Sequence, residues 1–295
     1  MAFPPDESKL VSIFVQSILY GAYSVLFFTT TWMLLSRAPL RRTMMGISLL
    51  MFVVATMHVA VNFTRIIKAF IIFTGATGGP AAFFNQLAEF TQMFGSTLYV
   101  IQTLVGDALV LYRCYLVWER KLWVIAFPFA LLLGSTATGI GILWAFDKVG
   151  KAEIFAEELS HWITSFFSMT FATNVICTAL VAYRVWAINR KHVSFRDRKL
   201  RPLMLLIVES GAIYSATLMV LLILYNVDSW FQYVVLDAVS PIVGIVFSVI
   251  ILRIALGIST EDGETALIGA EDIRMSRMQS TGSNHKVHTF DHDVV

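Results

Sequence analysis

The segment GDALVLYRCYLVWERK, residues 106–121, decides the fold of this chain. Its carboxylate Asp107 lies in a mostly apolar run that ends at Trp118, before a charged turn at residues 119–121. A tryptophan followed by basic residues is typical of a helix that leaves a bilayer at the headgroup level. The segment therefore predicts the end of a membrane-spanning helix.

The composition indicates that lipid surrounds most of the chain. Of its 295 residues, 57% are hydrophobic and 14% are charged, whereas about 25% of the residues of a soluble domain are charged. The mean hydropathy is +0.72. A water-soluble core of this size cannot bury so much apolar surface, so the first partner that we expect is the lipid bilayer. The net charge is only +2, and we expect no nucleic-acid partner.

Apolar runs of about 20 residues, the length that crosses a bilayer, occur seven times. We therefore predict an all-α, polytopic membrane protein, a seven-transmembrane-helix bundle at residues 11–256. An extracellular N-terminus precedes it at residues 1–10, and a disordered cytoplasmic tail follows at residues 257–295, where the composition turns polar. The predicted spans are Val11–Leu35, Thr43–Phe63, Thr91–Trp118, Leu122–Phe146, Trp162–Ile188, Pro202–Tyr225 and Trp230–Leu256.

Basic residues alternate between the connections and predict the orientation. The connections after the first, third and fifth spans are basic, whereas those after the fourth and sixth carry Asp and Glu. The positive-inside rule then places the N-terminus outside and the C-terminus in the cytoplasm. We expect a multi-pass protein of the plasma membrane. The most basic connection, Arg190–Arg201, is the candidate contact for a cytoplasmic signalling partner, although anionic lipid would attract the same charges.

Cysteine and histidine patterns give no reason to expect a disulfide, a metal or another cofactor. Cys114 and Cys177 both lie in apolar segments, and the histidines show no metal-ligand spacing. A glycosylation sequon begins at Asn62, but it lies so close to the predicted membrane that its use stays open.

Charged side chains inside lipid are costly, so each is a candidate functional residue. Asp107 lies near the middle of the third span and shares a helical stripe with Thr103. Two interpretations stay open for Asp107: a ligand, ion or proton contact, or a buried carboxylate satisfied by neighbouring helices. His58 in the second span and Asp237 in the seventh complete the set of candidates. We expect these side chains to line one outward-facing cavity.

A second candidate pair lies near the cytoplasmic ends of the spans. Arg113 in the third span and Glu209 in the sixth lie at similar predicted depths. An ion pair between them would form a latch between two states of the bundle. In the alternative, Arg113 extends to the headgroups and Glu209 bonds a nearby hydroxyl group.

Over residues 11–256 the pattern resembles the seven-helix, N-outside receptors. More narrowly, it resembles an uncharacterised seven-transmembrane family of mushroom-forming (basidiomycete) fungi. The residues that carry this resemblance are Gly106–Asp107 and Leu111–Tyr115, followed by Trp118. It implies fold and membrane location only.

The chain departs from better known seven-helix proteins at specific positions. Rhodopsin-like receptors end their third helix with an acidic-Arg-aromatic triplet, of which only Arg113 is kept. Their seventh-helix Asn-Pro-x-x-Tyr is reduced here to Pro241. Microbial rhodopsins need a seventh-helix lysine, and the span 230–256 has none, so we expect no retinal.

Three functions stay open at the level of the sequence. The first is receptor-like, G-protein-coupled-receptor-like sensing of a small ligand. The second is a transporter or proton-coupled carrier with Asp107 as the titrating group. The third is an intramembrane enzyme acting on a lipid or terpenoid. The enzyme is the least favoured of the three, because the sequence has no diphosphate-binding motif, nucleophile elbow or metal-binding histidine cluster.

Overall fold

The computed structural model describes residues 5–37, 42–73, 75, 79–84, 89–149, 155–190, 195–227 and 229–252. These residues are helical apart from short turns. A π-helical segment, Lys68–Ile72, directly continues the second helix. The α-helices in the described ranges are α1 (Pro5–Arg37), α2 (Arg42–Ile67), α3 (Gly79–Phe84), α4 (Phe90–Val117), α5 (Leu122–Val149), α6 (Phe155–Arg190), α7 (Phe195–Asn226) and α8 (Gln232–Leu252).

Seven of the helices in these ranges are long and apolar enough to cross a membrane: α1, α2 with its π-helical continuation, and α4 to α8. This confirms the predicted all-α bundle of seven spans. The orientation of the bundle stays a prediction. We call the end at which α1 begins the N-terminal end of the bundle. The predicted tail at 257–295 lies outside the described residues.

The first helix begins earlier than the hydropathy predicts, at Pro5 rather than Val11. Asp6 and Glu7 occupy its first turn, where negative charge is favourable beside the unpaired backbone N–H groups. The helix therefore includes part of the predicted N-terminal segment, and it carries Lys9 into the bundle.

The bundle has an exterior suited to lipid and a partly polar interior. Trp123 is 95% exposed and Phe90 74% exposed on the outer surface, whereas Gln16 and Asn174 are fully buried. Water would penalise such exposed aromatic side chains, but hydrocarbon does not. The distribution agrees with a chain embedded in a bilayer.

Helix α8 lies at the centre of the packing. Two-thirds of its most apolar stretch is buried, compared with under a quarter for α1. Two glycines allow this close approach. A Cβ atom at Gly106 would lie 2.7 Å from Cγ1 of Val243, and one at Gly244 would overlap the ring of Tyr23. Small residues at such contacts let helix backbones approach closely.

The contact between α8 and α1 can be tested with Gly244→Ala. The added methyl group overlaps the buried ring of Tyr23, so we expect the variant to lose about 1–3 kcal/mol of stability. Gly21→Ala is the matched control, because nothing lies within 4 Å of a Cβ atom at Gly21. Thermal unfolding in detergent should show a lower midpoint for Gly244→Ala only. Equal midpoints in the two variants would contradict the packing described here.

Candidate functional site

A cavity of about 290 Å³ lies at the N-terminal end of the bundle, and all seven spans contribute to its wall. One side of the wall is polar and comes from α1, α2 and α8. The opposite side is apolar and comes mainly from α5, α6 and α7. The polar side includes Lys9, His58, Asn62, Arg65 and Asp237, and the apolar side includes Ile142, Phe146, Phe166, Phe167 and Leu221.

Asp237 joins α8 to α1 at the polar side of the cavity. One of its carboxylate oxygens accepts a hydrogen bond from Ser12 Oγ and another from Lys9 Nζ, which lies at 3.2 Å. Lys9 also lies over the ring of Tyr233, at 4.3 Å from the ring centroid. Asp237 as a whole residue is only 3% exposed. A buried charge of this kind needs a partner, and Lys9 provides it.

His58 connects α2 to the same network through Gln16. The Gln16 side-chain oxygen accepts a hydrogen bond from Asn62 Nδ2 at 3.0 Å. Its amide nitrogen therefore faces His58 Nδ1, also at 3.0 Å, and must donate to it. Because Nδ1 accepts, the ring carries its proton on Nε2, which lies 3.9 Å from Asp237. In this arrangement the imidazole ring of His58, which lines the cavity, is uncharged.

Arg65 lies in the last turn of α2 and lines the same cavity. Three residues further along, Lys68 pairs with Glu89 at 3.0 Å. Glu89 also accepts a hydrogen bond from Thr91. Partial burial raises the pKa of Glu89, but the hydrogen bonds from Thr91 and Lys68 outweigh this, so its pKa lies below its ordinary value. Arg65 and Lys68 are thus close in sequence but differ in their surroundings.

Asp107 lies in a separate buried site between α4, α6 and α7. It is 0% exposed, and its Oδ1 accepts a hydrogen bond from Asn174 Nδ2 at 2.7 Å. Thr170 and Tyr214 lie beside the same carboxylate. Its Oδ2 makes no hydrogen bond to any described residue, and no described cation pairs with it.

The structure brings His58 and Asp237 together in one cavity, but it leaves Asp107 and Thr103 outside the cavity wall. Tyr99 lines the cavity, and Asp107 lies eight residues further along α4, about 12 Å deeper at the helical rise. The predicted single site therefore divides into a cavity and a buried carboxylate site at two depths of the bundle.

The structure does not bring Arg113 and Glu209 into contact. Arg113 lies over the ring of Phe247, at 5.3 Å from the centroid, and Glu209 is exposed. Burial along α7 is described from residue 208 onwards, where residues 210 and 211 are buried and Glu209 is not. An ion pair near this end joins Arg184 to Glu119 instead. The latch stays a prediction about a second state.

Lys9, Ser12 and Arg65 are site residues that the sequence analysis missed. Lys9, Ser12 and Gln16 follow one helical face, with offsets of three and four residues. That spacing could have placed Lys9 and Ser12 on one face with Gln16 if the first helix had been extended towards the N-terminus, but it shows neither their partners nor Arg65. In the part of the chain that the structure describes, no group of three or more His, Cys, Asp or Glu side chains is arranged to hold a metal ion.

Comparisons with protein-family models, with curated proteins and with solved structures found no match. The resemblance to the fungal family therefore stays a prediction.

The surroundings of Asp107 predict different effects for two substitutions. Asp107→Asn keeps an oxygen that can accept the hydrogen bond from Asn174, so we expect a thermal midpoint close to that of the unaltered protein. Asp107→Ala leaves that donor without its partner, and we expect a loss of about 1–3 kcal/mol. Thermal unfolding in detergent compares the two. The interpretation tested is that Asp107 stabilises the protein by accepting the hydrogen bond from Asn174. If Asp107→Asn destabilises the protein as much as Asp107→Ala, then the negative charge itself is required and this interpretation is wrong.

Proposed function

We propose that this chain is a receptor-like membrane protein that senses a small amphipathic ligand in the cavity at the N-terminal end of the bundle. The observation that carries the proposal is the cavity itself, with its polar side and its facing apolar side. Ligand pockets are commonly placed between helices of bundles and combine apolar walls with a few polar groups. A volume of about 290 Å³ lies at the lower limit of such pockets, which favours a small ligand.

Two helices connect the cavity to the opposite end of the bundle. Helix α4 contributes Tyr99 to the cavity wall and continues to Arg113. Helix α8 contributes Asp237 and continues to Phe247, on which Arg113 stacks. A ligand that shifts α4 relative to α8 would therefore alter the contact at the far end. This supports sensing rather than storage of the ligand.

The remainder of the proposal comes from the sequence. The N-terminus lies outside the plasma membrane, so the cavity faces the exterior. A cytoplasmic partner contacts the basic segment Arg190–Arg201, whose side chains lie outside the described part of the structure. The charge alternation of the connections supports this orientation.

A proton-coupled carrier is the second candidate, and the observation that favours it is Asp107. A fully buried carboxylate with no described cation beside it is typical of proton relays in transporters. The two candidates make different predictions about the ligand. A carrier moves it across the bilayer, whereas a receptor binds it and changes shape.

Two experiments test the proposal: binding of small amphipathic probes, and a substitution that fills the cavity. The full chain in lipid nanodiscs is exposed to two acids, each with the alcohol of similar shape: decanoate with 1-decanol, and 2-naphthylacetate with 2-naphthylethanol. We expect at least one probe to raise the thermal midpoint and to slow hydrogen exchange at the opposite end, residues 112–121. Ser96 lines the cavity, so Ser96→Phe should abolish both effects. Its neighbour Thr97 does not line the cavity, and Thr97→Phe should retain them.

Two outcomes would contradict the receptor-like proposal. The first is that no probe binds the unaltered protein, or that binding survives in Ser96→Phe. The second is saturable uptake of a probe into liposomes that a proton gradient drives and that Asp107→Asn abolishes. That second result would instead establish the carrier.

A further inference from the structure

We propose that the ligand of the cavity is an amphipathic monocarboxylate and that Arg65 binds its carboxylate group. This inference rests on the proposed function and names the chemical class of the ligand. Its basis is a buried guanidinium group that lines the cavity and makes no hydrogen bond or close ion pair with any described carboxylate.

Arg65 is only 5% exposed. It forms no hydrogen bond and no ion pair with any described residue. The guanidinium carbon lies 5.9 Å from the centroid of the Phe83 ring. An aromatic ring at that distance attracts a cation only weakly, whereas burial of a charge without a partner is costly. The protein alone therefore leaves this cation incompletely compensated.

The two neighbouring lysines differ from Arg65, because each of them forms an ion pair with a carboxylate. Lys9 pairs with Asp237 at 3.2 Å, and Lys68 pairs with Glu89 at 3.0 Å. In both of these ion pairs, the cationic partner of the carboxylate is a lysine. The charge of Arg65 is attracted by Glu89 and, more weakly, by Asp237, but Arg65 makes no hydrogen bond or close ion pair with either carboxylate.

The charge of the cavity wall indicates a single negative charge on the ligand. Lys9 and Arg65 contribute two positive charges, Asp237 contributes one negative charge, and His58 is neutral because its Nδ1 accepts from Gln16. The remaining charge is one positive charge. A carboxylate neutralises it, whereas a phosphate monoester carries about −1.5 to −2 at neutral pH and would leave an excess of negative charge.

The shape of the guanidinium group and the opposite wall complete the description of the ligand. A guanidinium group can bind both oxygens of a carboxylate through two parallel hydrogen bonds. Across the cavity, Phe146, Phe166 and Leu221 provide an apolar surface. A ligand that contacts both sides has a carboxylate at one end and a hydrocarbon or aromatic body at the other.

The test compares Arg65→Gln with Lys68→Gln in nanodiscs, with the same two acid–alcohol pairs of probes. In the unaltered protein, each acid that binds should do so more tightly than its alcohol. Arg65→Gln should weaken binding of the acid by about 10–100-fold, the range expected for a charge-assisted pair, and should change binding of the alcohol little. Lys68→Gln removes the same charge from a residue outside the cavity wall and should leave both affinities within about twofold.

The stability of the ligand-free protein provides an independent measurement. Because Arg65 is buried there without a direct ion pair, Arg65→Gln should raise the thermal midpoint without ligand, and added acid should stabilise it less than the unaltered protein. If Arg65→Gln does not fold, the acid-to-alcohol preference of the unaltered protein still tests the inference.

Each result that overturns the inference can be separated from failure of the proposed function. Equal affinity for acids and alcohols, or unchanged acid binding by Arg65→Gln, shows that Arg65 binds no carboxylate. If Ser96→Phe still abolishes binding in that case, the receptor-like proposal stands. If no probe binds the unaltered protein, both proposals fail.

Discussion

The buried carboxylate of Asp237 is the constraint on which the polar side of the bundle depends. A charge in the interior of a membrane protein must find partners inside the protein, because hydrocarbon offers none. Asp237 finds them on α1, where Ser12 and Lys9 donate to it. It also lies near His58 of α2. Removal of one partner from such a network leaves an uncompensated buried charge, so the helices α1, α2 and α8 are held in one arrangement.

This network also determines what the cavity can accept. Its members satisfy one another: Asn62 donates to Gln16, Gln16 donates to His58, and Lys9 neutralises Asp237. These groups therefore do not require a ligand. Arg65 is the charged group of the wall that the network leaves out, and this difference makes it the candidate anchor. The facing apolar side then favours a ligand with a hydrophobic body.

The sequence predicted the existence of the spans better than their contacts. Length and hydropathy suffice for seven spans, because crossing a bilayer requires about 20 apolar residues. The cost of charge in lipid also singled out His58 and Asp237, both of which line the cavity. Spacing within one helix cannot show which faces of different helices meet. For that reason Asp107 was expected beside Asp237, although the structure places it in a separate site with Asn174.

Lys9 and Arg65 were missed for a different physical reason. Both lie close to the ends of their helices, where basic residues commonly extend to the headgroups. Their roles depend on whether a carboxylate of another helix lies nearby, and no pattern within a single helix contains that information. Lys9 has Asp237 as its partner, and Arg65 has none among the described residues.

Reversal of the charge at Arg65 tests the central claim most directly. The measurement is the ratio of the affinities of 2-naphthylacetate and 2-naphthylethylamine, in the unaltered protein and in Arg65→Glu. If Arg65 binds the charged group of the ligand, the unaltered protein prefers the acid and Arg65→Glu prefers the amine. The same order of preference in both proteins would contradict the account.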